Sequence, residues 1–480
     1  MKTTFVAVST WGLLAAFSAS TAAVAAARAP NVVLILADDL GWADLHCYGG
    51  DLHETPNLDR LARQGMRFTN AYAASPVCSP TRASIMTGKH PARLGMTIWH
   101  EGARRGPPQD RKLIPPESQA NLRLDELTLA EVLHDAGYDT AHVGKWHLGD
   151  AEHYPENQGF DINIGGTLWG APTTYFYPYR GQFGSEREPR YVPRLEGGNE
   201  GEYLTDRLTD EALAIIERAA DRPFFLNLWY HAPHTPIEAK PEAIARFRNK
   251  LQPGMNHQNP VYAAMVGSLD ENVGRILAKL DELRLAEDTI VIFSSDNGGY
   301  INAWHEQPVT SNAPLRSGKG SLYEGGIRVP LIVRYPGVTA AGAECHEAVC
   351  STDFYPTLLD ALKLSGAADS AKGIDGVSLL PLLKDPRMQL DRDTLFFHYP
   401  HYYATTTPVG AIRAGRWKLL EYFETDSVEL YDLEVDVGET KDLANSMRDR
   451  AAELRARLHA WRSTIGARMP STNPRYGKKK

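Results

Sequence analysis

Long apolar runs that end abruptly in charged or hydrogen-bonding residues set the rhythm of this chain. Asn31–Ala37 (NVVLILA) runs into Asp38 and Asp39, residues 223–230 (PFFLNLWY) into His231, and Thr289–Ser295 (TIVIFSS) into Asp296 and Asn297. Unbroken apolar runs suit strands buried on both faces, so each predicts a strand near the centre of a sheet. Residues 139–143 and 330–334 read as two more, the first leading into Gly144-Lys145-Trp146-His147-Leu148-Gly149. Helical periodicity fills the gaps. Thr55 and Pro56 open a helix with Leu58, Leu61 and Ala62 on one face and Gly65 as its stop. Thr128 and Glu131 form a capping box ahead of Leu129, Val132 and Leu133, and Gly137 ends that helix. Residues 204–220 and 261–285 predict two longer helices. The alternation indicates an α/β fold on a mostly parallel central sheet flanked by helices.

Two stretches depart from that pattern. Residues 155–201 are rich in Gly, Pro, Tyr and Arg with little periodicity, and read as a long surface excursion that shapes a binding site. Beyond about residue 375, short strands at 395–403, 409–413, 417–423 and 429–433 precede a last helix at 445–465. These predict a smaller C-terminal α+β domain containing an antiparallel sheet. The expected divisions are a leader at 1–27, a catalytic α/β domain at 30–375, the α+β unit at 376–468 and a tail at 469–480.

Composition narrows the classes. A chain of 480 residues with 43% hydrophobic and 23% charged residues can bury a large globular core. A formal net charge of −8 argues against a nucleic-acid partner, because domains that bind nucleic acid carry a basic excess. Lys2 precedes an apolar run through Val6, Trp11, Leu14 and Phe17, and Ala23-Val24-Ala25 and Ala25-Ala26-Ala27 fit small-x-small cleavage. This reads as a secretory signal peptide cut near Ala25 to Ala29, giving an exported protein, periplasmic or secreted. No later segment is apolar enough for a membrane span after signal cleavage. Of four cysteines, Cys345 and Cys350 are close enough in sequence to pair in an oxidising compartment; Cys47 and Cys78 could pair with each other.

Polar clusters at strand ends are where open α/β sheets bind ligands. Asp38, Asp39, Asp296 and Asn297 supply only oxygen donors, which suit calcium or magnesium; otherwise they are turn residues. Lys145 and His147 lie two apart and could bind an oxyanion and move a proton. His234 between Pro233 and Thr235 is a loop histidine, or a proton donor if it faces the crevice. The loop from Leu315 to Gly326 holds Lys319 among glycines but lacks phosphate-loop spacing. Cys78 falls between Pro76 and Pro80, which resist regular structure, ahead of a helix expected over 81–86.

Cys78-Ser79-Pro80-Thr81-Arg82, with Ala83-Ser84 and Thr87-Gly88, closely resembles the Cys-x-Pro-x-Arg signature of type I sulfatases. Gly144 to Gly149 looks like that family's second signature, and Asp38-Asp39, Asp296-Asn297-Gly298-Gly299 and Gly318-Lys319-Gly320 match in kind and order. The resemblance is strong over residues 31–336 and looser beyond, through Trp417-Lys418 and Leu430 to Leu433. It implies the alkaline-phosphatase-like fold and a sulfatase, a sulfuric ester hydrolase. In the family a separate maturation enzyme, the formylglycine-generating enzyme or another, oxidises the cysteine to Cα-formylglycine (3-oxoalanine). One hydroxyl of the hydrated aldehyde attacks sulfur; deprotonation of the other expels sulfate.

By the same resemblance Asp38, Asp39, Asp296 and Asn297, with the modified Cys78, hold one Ca2+ per chain. Arg82 stabilises hydrated residue 78, and Lys145 and Lys319 neutralise the sulfate. His147 takes the proton during elimination, and His234 serves the leaving alcohol. Lys145, His234 and Lys319 also bind substrate. Export and the Tyr-, Trp- and Arg-rich segments at 99–105, 169–180, 303–305 and 398–403 suggest a sulfated carbohydrate. A phosphonate or phosphodiester hydrolase of the same superfamily and a non-catalytic glycan-binding relative are the alternatives.

Overall fold

The computed structural model describes residues 1–7, 29–106, 108, 110–184, 187–219, 221–364, 366 and 372–477. Most of the expected leader and the terminal lysines lie outside them. The central sheet uses β1 (Asn31–Ala37), β2 (Met66–Tyr72), β3 (Asp139–Gly144), β4 (Ile162–Ile164), β5 (Phe224–Trp229), β6 (Thr289–Ser295), β7 (Arg328–Arg334), β8 (Ala343–Cys345) and β9 (Val349–Cys350). Its order is β8-β2-β7-β6-β1-β5-β3-β4, with β9 pairing farther along β2. All pairings are parallel except those of β7, which runs antiparallel to both β2 and β6. The expected mostly parallel sheet is therefore present.

Helices cover both faces: α1 (Pro56–Gln64), α2 (Cys78–Thr87), α3 (Leu129–Asp135), α4 (Leu204–Arg218), α5 (Pro260–Glu282) and α6 (Phe354–Ala361). Alternation along β1 divides the core. Val33, Ile35 and Ala37 pack towards Leu58, Leu208 and Leu269 of α1, α4 and α5. Val32, Leu34 and Leu36 pack towards Ile85, Leu129 and Leu358 of α2, α3 and α6. That two-sided burial explains why the strands at the sheet centre carry no polar face.

The C-terminal unit is a meander of β10 (Thr394–Tyr399), β11 (Val409–Ala414), β12 (Trp417–Tyr422) and β13 (Ser427–Asp432), followed by α7 (Arg448–Ile465). All neighbours pair antiparallel, as expected. One face, with Phe397, Ala411 and Leu420, meets Tyr72, Val77 and Leu322 of the larger α/β unit. The other, with Ile412, Leu419 and Leu430, meets Leu454 and Leu458 of α7.

Several expectations need correction. β2 escapes the apolar-run criterion because Arg67, Thr69 and Asn70 interrupt it; it lies near the sheet edge and is only partly buried. α2 begins at Cys78, not at residue 81. Pro80 falls in the first turn, where an amide hydrogen has no intrahelical acceptor and its loss costs nothing. The excursion at 155–201 is not wholly superficial: Ile162–Ile164 extends the sheet, and Tyr175 and Tyr179 are core residues. Part of the expected tail is ordered, with Ser471 and Thr472 pairing to Ile114 and Leu113. All four cysteines are free. Cys345 and Cys350 stand opposite Phe68 and Tyr72 on β2, four residues apart. That is about 13 Å along a strand, beyond the reach of a disulfide.

The two units are joined by buried charge. Lys418 of β12 lies 2.8 Å from Glu324 Oε1 and 2.8 Å from Glu439 Oε1, all three fully buried. Glu324 also accepts from the Tyr72 hydroxyl at 2.7 Å, and its amide donates to Glu439 at 2.7 Å. Removing the cation would strand two carboxylates, so Lys418→Ala is expected to cost about 3–5 kcal/mol. A lowered urea midpoint for that variant, with Lys418→Arg falling less, is the check.

Candidate active site

Four strands adjacent in the sheet, β3-β5-β1-β6, deliver their carboxyl ends to one edge. Beyond them come Lys145 and His147, His231 and His234, Asp38 and Asp39, and Asp296 and Asn297. Backbone bonds lock these ends together: the Asp38 amide donates to the Ala232 carbonyl at 3.1 Å, and the Asp296 amide to Ala37 at 3.2 Å. Gly144 closes β3 with φ +103°, and a Cβ there would come within 2.0 Å of the Trp229 carbonyl oxygen. Glycine thus permits the approach in which the Lys145 amide donates to that oxygen at 2.7 Å. Asp39 and His147 adopt the left-handed region themselves, with φ of 62° and 60°. For non-glycine residues this is strained backbone of the kind held at functional sites.

Cys78 is the first residue of α2, buried, with Val77 as its extended N-cap. Atoms of Cys78, Asp38, Asp39 and His234 all lie within 4.8 Å of one another. Burial pushes the thiol up to about 12 although Lys145 and Lys319 pull it down. The encoded thiol is therefore protonated at neutral pH and is a poor nucleophile as it stands. Arg82, one helical turn on, shares the face of Cys78. Its Nε donates to Asp296 Oδ2 at 2.8 Å, its Nη1 to the Lys145 carbonyl at 2.9 Å, and its guanidinium sits 5.1 Å over the Trp229 ring.

Lysines meet the remaining carboxylates. Lys145 Nζ donates to Asp38 Oδ2 at 2.7 Å, and Lys319 Nζ reaches both oxygens of Asp39, at 2.7 and 2.9 Å. Burial raises Asp38 to about 8 despite Lys145. Burial also works on Asp39, but Lys319 and His234 hold it down at about 2. Asp296, likewise opposed by burial, is kept below the usual carboxylate range by Arg82. The loop bearing Lys319 is fixed from three sides. The Lys319 amide donates to Gly299, the Gly320 amide to Pro76, and the Thr405 hydroxyl to the Lys319 carbonyl.

The donor set accepts a hard cation. Asp38 Oδ1 and Asn297 Oδ1 are buried oxygens without a hydrogen-bond partner, and Asp38 is a carboxylate that its lysine does not fully compensate. Asn297 Nδ2 donates to Asp39 Oδ1 at 2.8 Å, and the Asp39 amide to Asp296 Oδ1 at 3.2 Å, so all four residues lie side by side. Oxygen-only donors with unsatisfied charge fit Ca2+ or Mg2+.

His147 is buried, its Nε2 2.5 Å from Glu101 Oε2 and its Nδ1 without a partner. The other Glu101 oxygen accepts from the Gly170 amide at 3.0 Å and lies 3.3 Å from Arg190. Burial pushes His147 below its ordinary value to about 4, with Glu101 pulling it up. Sequence reasoning assigned Glu101 no role of its own: it belongs to a segment of candidate substrate contacts, and no strand end or spacing rule singles it out. His234 is held by Nδ1 bonding the Thr235 carbonyl at 2.8 Å and turns Nε2 to within 3.5 Å of Asp39. His231 is buried with both ring nitrogens unpartnered.

The expected substrate segments divide. Trp99 stands edge-on to Tyr403 at 5.7 Å, and a Cβ on Gly320, next to Lys319, would meet the Tyr403 ring at 2.0 Å, so this pair borders the crevice. Gly170 packs on the His147 ring. His398 and Tyr399 are buried in the C-terminal sheet, with His398 bonded to the Arg468 carbonyl, and Tyr175 and Tyr179 are core residues. These four are not surface contacts.

The comparisons agree with this geometry. The Sulfatase family matches residues 30–364, and the family described as N-sulphoglucosamine sulphohydrolase, C-terminal, matches residues 318–464. A sulfatase of Formosa agariphila is 33% identical over 495 aligned positions, covering 90% of this chain and 88% of that protein. The N-acetylgalactosamine-6-sulfatase of Canis lupus familiaris is 34% identical, covering 89% and 78%. The crystal structure of Ps i-CgsB in complex with k-i-k-neocarrahexaose superposes with a TM-score of 0.75 at 30% identity, covering 94% of this chain and 96% of the other. The chain belongs to the sulfatase family, as a type I sulfatase of the alkaline phosphatase superfamily and hence a sulfuric ester hydrolase.

Proposed function

We propose that this protein is an exported sulfatase that removes sulfate from a sulfated carbohydrate, using Cys78 converted to Cα-formylglycine and one bound Ca2+. The observation that carries the reading is the meeting of Cys78, at the start of α2, with Asp38, Asp39 and His234 within 4.8 Å. Carbohydrate is favoured because one relative is named for N-acetylgalactosamine and one solved relative holds k-i-k-neocarrahexaose. The apolar, alanine-rich residues 1–27 support export. Among the described residues no helix is long and apolar enough to cross a membrane.

Asp38, Asp39, Asp296 and Asn297 would hold the cation. Once hydrated, a formylglycine at residue 78 would offer one hydroxyl for attack and a second for sulfate release, and a Ca2+ held by these residues would supply Lewis-acid polarisation of the sulfate. Lys145 and Lys319, fixed by Asp38 and Asp39, place ammonium groups where negative charge accumulates. Arg82 keeps residue 78 in register with Asp296 through a buried guanidinium whose Nε donates to Asp296 and whose Nη1 donates to the Lys145 carbonyl. Glu101 holds the His147 Nε2 proton and leaves Nδ1 to accept one from residue 78. His234, anchored through Nδ1, would handle the leaving-alcohol proton at Nε2.

Matched aryl sulfate and aryl phosphonate esters test the assignment. Higher kcat/KM on the sulfate is expected, and preference for the phosphorus ester would contradict it. Glu101→Gln tests the histidine. The carboxylate is what pulls His147 upward. Its loss lowers that pKa, so the ascending limb of the pH–rate profile moves to lower pH. The weaker, poorly oriented base lowers kcat about 10- to 100-fold. An unchanged profile would remove Glu101 from the account.

A further inference from the structure

Beside the crevice lies a cavity of about 500 Å3, bounded in part by Trp99, Arg105, Arg111, Ser118 and Tyr402. The two spaces share a wall. The short helix His100–Ala103 forms one side of the cavity, and its first amide donates to the hydroxyl of Ser79, the residue after Cys78, at 3.1 Å. Trp99, just before it, rests edge-on against Tyr403, whose ring fills the space over Gly320 beside Lys319. A ligand longer than one sugar, with its sulfate at residue 78, could extend past this aromatic pair into the cavity.

The chemistry of the lining is that of an anionic sugar site. The Arg105 guanidinium lies 6.0 Å from the Trp99 ring centroid and that of Arg111 lies 5.3 Å from the Tyr402 ring. Guanidinium groups beside aromatic faces keep N–H edges available for paired bonds to a sulfate or carboxylate, and exposed ring faces suit the C–H faces of sugars. Among the described residues Arg105 has no carboxylate in ion-pair range, and Arg111 has only Asp110, at 4.0 Å and 82% exposed. The remaining acid of the lining, Glu117, is exposed; its carbonyl accepts from Arg468 at 3.2 Å, and among the described residues its carboxylate forms no ion pair. Arg104 and Lys112 neighbour the lining arginines in sequence, and the Lys112 ammonium is held by the Glu424 carbonyl at 2.7 Å. Arg82, Lys145 and Lys319 in the crevice, by contrast, each already face a buried carboxylate. A size of this order also matches an ordinary ligand pocket.

We propose that this cavity is a second subsite that binds a further anionic group, a sulfate or a carboxylate, on a sugar residue adjoining the one that loses its sulfate. The natural substrate is then an oligosaccharide or polysaccharide with at least two anionic groups, not a monosaccharide sulfate. The proposal rests on the sulfatase reading, but its test does not require turnover.

In Cys78→Ser protein, calorimetry with a carrageenan tetrasaccharide sulfated on every residue, and with a singly sulfated chondroitin tetrasaccharide, distinguishes sulfate from carboxylate as the second group. Adding Arg105→Ala and Arg111→Ala should raise Kd about 10- to 100-fold for whichever probe carries the recognised group. Adding Arg105→Lys and Arg111→Lys, which keep charge without the paired N–H edge, should raise it less. In the Cys78-containing protein, the two alanine substitutions should leave kcat/KM on an aryl monosulfate within about threefold. Equal Kd values with and without the arginines, or no binding of either tetrasaccharide, would overturn the subsite. So would equal losses on the aryl ester and the tetrasaccharides. Failure of the parent enzyme on aryl sulfate would instead overturn the sulfatase reading and leave the binding result intact.

Discussion

Asp38, Asp39 and Asp296 are three carboxylates buried side by side, and the cations interleaved with them are what the crevice depends on. Each ion taken out of water costs several kcal/mol unless its partners are well placed. Arg82 meets Asp296, Lys145 meets Asp38, and Lys319 meets Asp39, each at 2.7–2.9 Å. The three cations come from α2, the end of β3 and the loop before β7. Assembling the site is thus the same act as bringing those parts of the fold together. Oxygens left over at Asp38 and Asn297 mark where the compensation is incomplete and a divalent ion would complete it.

The C-terminal sheet belongs to this arrangement. Thr405 bonds the Lys319 carbonyl, and Arg316, four residues before Gly320, lies 3.9 Å over Tyr323 and donates to Tyr431 and to the Glu439 carbonyl. Glu324, two residues before Gly326, is bound by Lys418. The smaller unit therefore clamps both ends of the Lys319 loop, which explains how a glycine-rich segment holds a cation rigidly.

Much of this was legible in the chain because burial on both faces leaves an unmistakable apolar run. β1, β6 and the C-terminal strands fall within a few residues of their expected limits, and the polar residues after them mark the sheet edge where they meet. Arg82 is placed beside residue 78 by the family resemblance alone; the helix that starts at Cys78 is what sets the two one turn apart. Polar residues hide β2 near a partly buried edge, and treating proline as a helix breaker sets the start of α2 too late, because the first turn tolerates Pro80. Glu101 was not legible as a partner for His147: the two are brought within 2.5 Å only by tertiary folding, and sequence carries no period for that. Burial of Tyr175, Tyr179 and His398 was equally unreadable, because aromatic and imidazole side chains serve cores and binding sites alike.

The central claim is that Cys78 is the precursor of the nucleophile and not the nucleophile itself. Mass spectrometry of the proteolytic peptide spanning Cys78, from protein exported by its native host and treated with a hydrazide, tests it most directly. The account predicts a peptide in which the sulfur is lost and an aldehyde is trapped as the hydrazone. An intact thiol, or a disulfide to Cys47, would contradict it.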